Sequence, residues 1–267
     1  MTNIAKLRQE HEKLLLSIAQ VGFESGLVNA AFDNLESAGP LCFNNFGYAL
    51  RELLRHVFHR LAPDGEVTRC VWYKPDPTSK NGITRANRSK YMLQGGLTDL
   101  FVKRKLGIDI AVVSSDLTSA FDLLNRFTHI GPATFDLSIA EVETLAEQCL
   151  SAARDLIEQI AECRRLVLEQ LAREIDQHLL NEAISETVNE LDEIATHYCI
   201  DHVVVEVAEV VDIGPSELTV NVAGDVEVAL QYGSSSDLKN DIGTSMSDSF
   251  PFTGTVSIPF KRPLGKS

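Results

Sequence analysis

The pattern Ile4, Leu7, His11, Leu14, Ile18 and Val21 repeats at three- to four-residue spacing and predicts an amphipathic helix near the N-terminus. A second follows in FGYALRELLRHVFHRLA. Its Leu50, Leu53, Leu54, Val57, Phe58 and Leu61 fall on one half of a helical wheel, and Pro63-Asp64-Gly65 ends it. Residues 64–87 read as a loop, with three prolines between 63 and 77 and the strand-like VTRCVWY inside. Helical character returns in RSKYMLQGGLTDLFVKRKL despite Gly95-Gly96, and again from Asp116 as N-cap through LTSAFDLLNRFTH to Gly131-Pro132.

No Gly or Pro occurs from Ala133 to Ile213, so long helices are expected there. Ser138-Ile-Ala-Glu141 has the form of a capping box. From Ile139 through Val142, Leu145, Cys149, Leu156, Ile160, Cys163, Val167, Leu171 and Ile175 to Leu179 the helical spacing persists. One helix of about 60 residues would reach about 90 Å, so a break near Asn181 is expected. After Asp201 the period becomes alternating. VVVEVAEVV, ELTVNVA, DVEVALQY and TGTVSIPF read as four strands, with Gly224-Asp225 as a hairpin turn and GSSSDLKNDIGTSMSDSF as a loop. The expected class is α+β: a mainly helical domain over residues 1–199, then a small antiparallel β domain over 200–267.

Composition narrows the setting. No run of about 18 apolar residues exists, and MTNIAKLRQEHEK lacks the apolar core of a signal peptide, so a cytoplasmic protein without membrane contact is expected. Cys42, Cys70, Cys149, Cys163 and Cys199 show no paired spacing and read as reduced, mostly buried thiols.

Charge is strongly segregated. The chain carries a formal −14, yet between Arg69 and Lys105 nine Lys or Arg residues face only Asp76 and Asp99, a local balance of +7. Concentrated positive charge attracts polyanions, so Lys74, Lys80, Arg85, Arg88, Lys90, Lys103, Arg104 and Lys105 are candidates for binding RNA or another nucleic acid. The alternative is a solvated basic loop. Residues 136–199 hold 4 basic and 15 acidic groups and would repel nucleic acid.

Candidate chemistry sits on the second helix. Arg51, Arg55 and His59 lie four residues apart on one stripe, with Glu52 and His56 on the next. Guanidinium groups hold phosphate by paired hydrogen bonds, and an imidazole near neutrality moves a proton. An ordinary solvated helix face, with Glu52 paired to His56, is the plainer alternative. A second constellation is Asn125, Arg126 and His129, with His129 at a helix C-terminus, where exposed carbonyls favour a cation. No Gly-rich phosphate loop, paired-Cys motif, nucleophile elbow or metal-binding spacing is present, so no cofactor or metal is expected. Glu206, Glu209 and Glu227 alternate along strands and are expected to face solvent.

The helical unit with its Arg and His segments resembles the HEPN superfamily, many of whose members are metal-independent RNases of bacterial conflict systems. Asn125-x-x-x-His129 matches the polar residue and histidine of that motif, while Leu124 stands in its arginine slot. Arg51 and His56 have the Arg-to-His spacing, with Glu52 in second place. A longer resemblance, carried by ALRELLRHVFHRLAP, TRANRSKYMLQGGL, LLNRFTHIGPATF and VEVALQYGSSSD, is to the prokaryotic family of predicted pPIWI-associating nucleases. It implies an RNase of an anti-phage defence system, with a defence-system protein partner. In that reading His56 or His129 takes the proton of the RNA 2′-hydroxyl, and Arg51, Arg55 or Arg126 stabilises charge on phosphate. The alternative is a noncatalytic subunit that docks nucleic acid and a partner. Pairing of the long helices makes a homo-oligomer the expected assembly.

Overall fold

The computed structural model describes residues 3–37, 39–194, 197–234, 240 and 242–259. Two compact units divide at Cys163 and Arg164. The architecture is α+β, helices first and an antiparallel sheet last. Among the described residues no helix is long and apolar enough to cross a membrane.

In the first unit the apolar stripes become the core. Helix α1 (Asn3–Ile18) buries Leu7, His11 and Leu15. It ends before Val21, which is 95% exposed. Helix α2 (Phe23–Glu36), not foreseen from the sequence, buries Val28, Ala31, Phe32 and Leu35 against α3. Helix α3 (Cys42–Leu61) buries Leu50, Leu53, Leu54, Val57 and Phe58, the apolar half of the wheel. Edge-to-face contacts join Phe58 to Phe121 at 5.4 Å and Phe43 to Phe127 at 4.8 Å, fixing α3 against α7 (Ile110–Phe127).

Several expectations are corrected here. The strand-like VTRCVWY is no strand: α4 (Asp64–Arg69) forms directly after Pro63, with Asp64 and Glu66 in its first turn, and turns follow. Pro63 can precede a helix because the first helical N–H groups need no intrahelical partner. Helix α5 (Arg85–Gln94) is capped by Thr84, whose Oγ1 accepts from Asn87 N at 3.2 Å. It stops at Gly95, which takes a positive φ of 54°; α6 (Asp99–Phe101) and a π-helical turn, Val102–Leu106, follow. Helix α7 starts at Ile110, not near Asp116, because Asp109 Oδ1 already accepts from Ala111 N at 3.1 Å.

Helix α8 runs unbroken from Ile139 to Ile194. Its start is the expected capping box, Ser138 N donating to Glu141 Oε2 at 2.9 Å. Asn181 does not break it, since an interior Asn costs at most about 0.7 kcal/mol. The side chains of Leu171, Ile175 and Leu179 lie outside the described residues. Among the described residues of the second unit three strands, not four, form one sheet in the order β1 (His197–Ile213), β2 (Glu217–Tyr232), β3 (Thr244–Pro259). β2 passes straight through Gly224-Asp225. A Cβ on Gly224 would lie 2.0 Å from Val204 O, so this glycine admits the neighbouring backbone and makes no turn. The expected loop yields its end, Thr244–Phe250, to β3, while residues 235–239 and 241 lie outside the described residues, as does Phe260. Along β2, Leu218, Val220, Val222, Val226, Val228 and Leu230 face one buried side. Glu206, Glu209 and Glu227 are exposed.

Candidate nucleic-acid site

The polar face of α3 is organised around Glu52. Its two oxygens accept from Arg51 Nη2 at 2.8 Å and Arg55 Nε at 2.9 Å. Burial works to raise the Glu52 carboxyl, but these hydrogen bonds outweigh it and hold the group below its ordinary value. Both guanidinium groups are thereby oriented by a dependable anion. Glu52 does not pair with His56. That imidazole instead sits 3.1 Å from Arg55 Nη2 and edge-on to Phe23 of α2 at 4.9 Å.

The stripe then meets two different neighbours. At its N-terminal end Arg51 lies over the Tyr48 ring and donates to Thr128 Oγ1 at 3.3 Å. Thr128 caps α7, donating its hydroxyl to Asn125 O at 2.7 Å, so Arg51 adjoins the Asn125–His129 segment. His129 and Arg126 are exposed, with Arg126 over the Phe127 ring at 4.8 Å; Asn125 is half-buried. Leu124, in the arginine slot of the HEPN motif, is fully buried and reaches the space beside Gly47 of α3.

Further along, α3 opens into a cleft of about 220 Å³ lined by Arg55, Phe58, His59, Asn81, Ile83, Arg85, Arg88 and Phe121. Four cationic or proton-bearing groups from α3 and α5 converge here. Arg85 lies over the Phe121 ring at 4.7 Å. Arg88 is buried and donates to Ala62 O and to Asp64 Oδ1, and Asp64 also accepts from Asn81 Nδ2 at 2.9 Å. The Arg88 hydrogen bond is the chief reason that the Asp64 carboxyl is held low. Burial first, and then the Arg88 charge, lower the His59 imidazole below its usual value, leaving it neutral near pH 7. A neutral imidazole beside arginines can accept a proton while the arginines hold an anion.

The remaining basic residues divide into paired and free. Lys90 is held by Asp99 at 2.7 Å and lies 4.7 Å over the Trp72 ring, and Arg69 pairs with Glu66 at 3.0 Å. Lys74, Lys80, Lys103, Arg104 and Lys105 are exposed and form no ion pair with the described residues. His56 and His129 do not line the cleft; Arg85 and Arg88, read from the sequence as backbone contacts, do. Asn81 was missed. It lies in a proline-flanked loop without periodicity, so its only signal is its polarity.

Two family models match the chain, over residues 16–153 and over residues 160–267, and both are described as "Predicted pPIWI-associating nuclease". Comparison with curated proteins and with solved structures gave no match.

Proposed function

The chain belongs to the family of predicted pPIWI-associating nucleases, and we propose that it is a metal-independent RNase of a prokaryotic anti-phage defence system whose working site is the α3–α5 cleft. The observation that carries this reading is the convergence of Arg55, His59, Arg85 and Arg88 on one cleft. RNA supplies its own nucleophile, the 2′-hydroxyl. His59 takes that proton as the oxygen attacks phosphorus. Arg55 and Arg85 stabilise the charge that develops on the phosphoryl oxygens, and the 5′-oxygen leaves with a proton from solvent. Arg88 is tied to Asp64 and Ala62 O, so it shapes the cleft and adds positive potential. His56 touches Arg55 and steadies it. Lys74, Lys80 and the Lys103–Lys105 turn lead the RNA backbone in.

In this reading the helical unit is HEPN-like, the protein acts in the cytoplasm as a homodimer, and a pPIWI protein is its partner. Cleavage in EDTA that leaves a 2′,3′-cyclic phosphate, and its loss in His59→Ala, is the expected result. Wild-type protein that cleaves no RNA with its partner present overturns the reading. A second reading, a noncatalytic docking subunit, is favoured by one observation: Leu124, fully buried, occupies the arginine slot beside Asn125 and His129. Salt-sensitive RNA binding without cleavage selects it.

A further inference from the structure

His11 lies in the middle of the apolar stripe of α1, 1% exposed, and neither ring nitrogen has a hydrogen-bond partner. An unsatisfied buried polar atom costs about 1–3 kcal/mol, and native structures seldom tolerate one without water or an ion. His11 Nε2 is 3.8 Å from Glu147 Oε2 of α8, too far for a direct hydrogen bond. Glu10 completes a trio, and one donor atom from each of Glu10, His11 and Glu147 lies within 4.8 Å of the others.

We propose that Glu10, His11 and Glu147 form a divalent transition-metal site, with zinc as the matching ion, that clamps α1 to the first part of α8. The donor set is one imidazole nitrogen and two carboxylates, which suits zinc with water in the fourth position. Two carboxylates neutralise the 2+ charge. Across a tetrahedral ion with bonds of about 2.0–2.2 Å the donors stand about 3.3–3.6 Å apart, so the observed spacing needs only small rotations of two carboxylate side chains. Glu147 is 46% exposed and Glu10 45%, and although Ser151 Oγ donates to Glu147 Oε1 at 2.7 Å, Oε2 on the His11 side is left for the ion. Glu10 now meets Lys6 at 3.4 Å in an exposed pair, which is cheaply given up. An opening of about 290 Å³ beside Glu10, Glu143 and Glu147 gives an entry path.

Burial keeps His11 below the usual imidazole range, so it presents a lone pair at neutral pH, although the Arg154 charge nearby opposes any cation. One ion satisfies Nε2 and leaves Nδ1 without an acceptor. Since a metal-bound histidine that lacks such an acceptor typically binds about 10–100-fold more weakly, micromolar rather than nanomolar zinc affinity is expected. The site stands apart from the α3–α5 cleft, and its test uses no RNA.

The test is calorimetric titration of the full chain with zinc chloride, beside thermal unfolding with and without the ion. Wild type should bind one equivalent and unfold at higher temperature with zinc. The Glu10→Gln/Glu147→Gln variant, altered at one exposed and one half-buried position, should lose at least about tenfold in affinity and the thermal shift with it. Cobalt should bind the same site without a thiolate charge-transfer band, which separates it from Cys42 and Cys199. No zinc binding by wild type, an unchanged isotherm in the double variant, or a thiolate band would overturn the proposal.

Discussion

At its C-terminal end the cationic stripe of α3 meets further arginines across a cleft, and at its N-terminal end it meets the capped terminus of α7. Arg55 and His59 face Arg85 and Arg88 around an open volume of about 220 Å³. Arg51, one turn earlier, is spent on Glu52, Tyr48 and Thr128. Identical residue types on one helix face thus take on different work according to what packs opposite. Arg51 and Arg55 share Glu52, but Arg51 turns its remaining contacts to Tyr48 and Thr128 while Arg55 lines open space. Where arginines gather around space, positive potential is left over for a ligand.

The sharpest way to break this comparison is to set His59→Ala against His129→Ala in an RNA cleavage assay. If the cleft is the site, His59→Ala should lower the rate by about 10²–10⁴-fold and His129→Ala should leave it within a few-fold of wild type. The reverse ranking moves the chemistry to the α7 terminus. Thermal unfolding of both variants, expected near wild type, keeps the rate loss from being misread as unfolding.

Salt dependence separates free from paired cations. Each phosphate contact to single-stranded RNA contributes about −0.7 to the slope of log affinity against log salt. Neutralising Lys74, Lys80, Lys103, Arg104 and Lys105 together should therefore flatten the slope by up to about 3.5. Lys90→Ala should change it little, because Asp99 and Trp72 already hold that ammonium. A larger effect from Lys90 than from the exposed five would mean that the Asp99 pair opens on binding.

What the sequence disclosed tracks the range of the forces involved. The apolar half of α3 and the capping box of α8 are local, and Leu50, Leu53, Leu54 and Val57 go where their spacing puts them. Gly224 failed as a guide because its role depends on Val204 O, twenty residues away on the partner strand. The Arg51–Arg55–His59 stripe is likewise local and was legible. Its meeting with Arg85 and Arg88 was not, because it requires α5 to pack against α3 and α7, and no periodicity within α5 encodes that. A charge count finds the basic island, but only tertiary structure tells Arg88, buried on Asp64, from Lys80, which is exposed.

Removing the anchor of Arg88 tests whether the cleft is held in shape by its own ion pair. Asp64→Asn leaves a buried guanidinium with Ala62 O and a weaker neutral partner. Asp64 is 52% exposed, so solvent screens the loss, and about 1–2 kcal/mol of destabilisation is expected in urea unfolding. Glu66→Gln, which breaks the surface pair with Arg69, should cost under about 0.5 kcal/mol. Equal costs would place Arg88 among the solvated cations.

The smallest effect expected is in the pH dependence of stability, and its sign follows from His59. Burial and Arg88 lower the folded-state imidazole below its ordinary value, so near pH 6 the unfolded chain binds a proton that the folded chain refuses. Stability from this residue is then complete above about pH 6.5 and falls as pH drops from there towards the folded-state value. His11 is lowered by its own burial and contributes with the same sign from outside the cleft. His59→Gln should therefore reduce, without abolishing, the loss of urea stability between neutral pH and about pH 5.5. RNA bound in the cleft should oppose the His59 part, because phosphate offsets the Arg88 charge and raises the imidazole. A wild-type profile that is unaltered by His59→Gln would mean that burial and the Arg88 charge do not hold the imidazole down, and the argument for a neutral base in the cleft would fall.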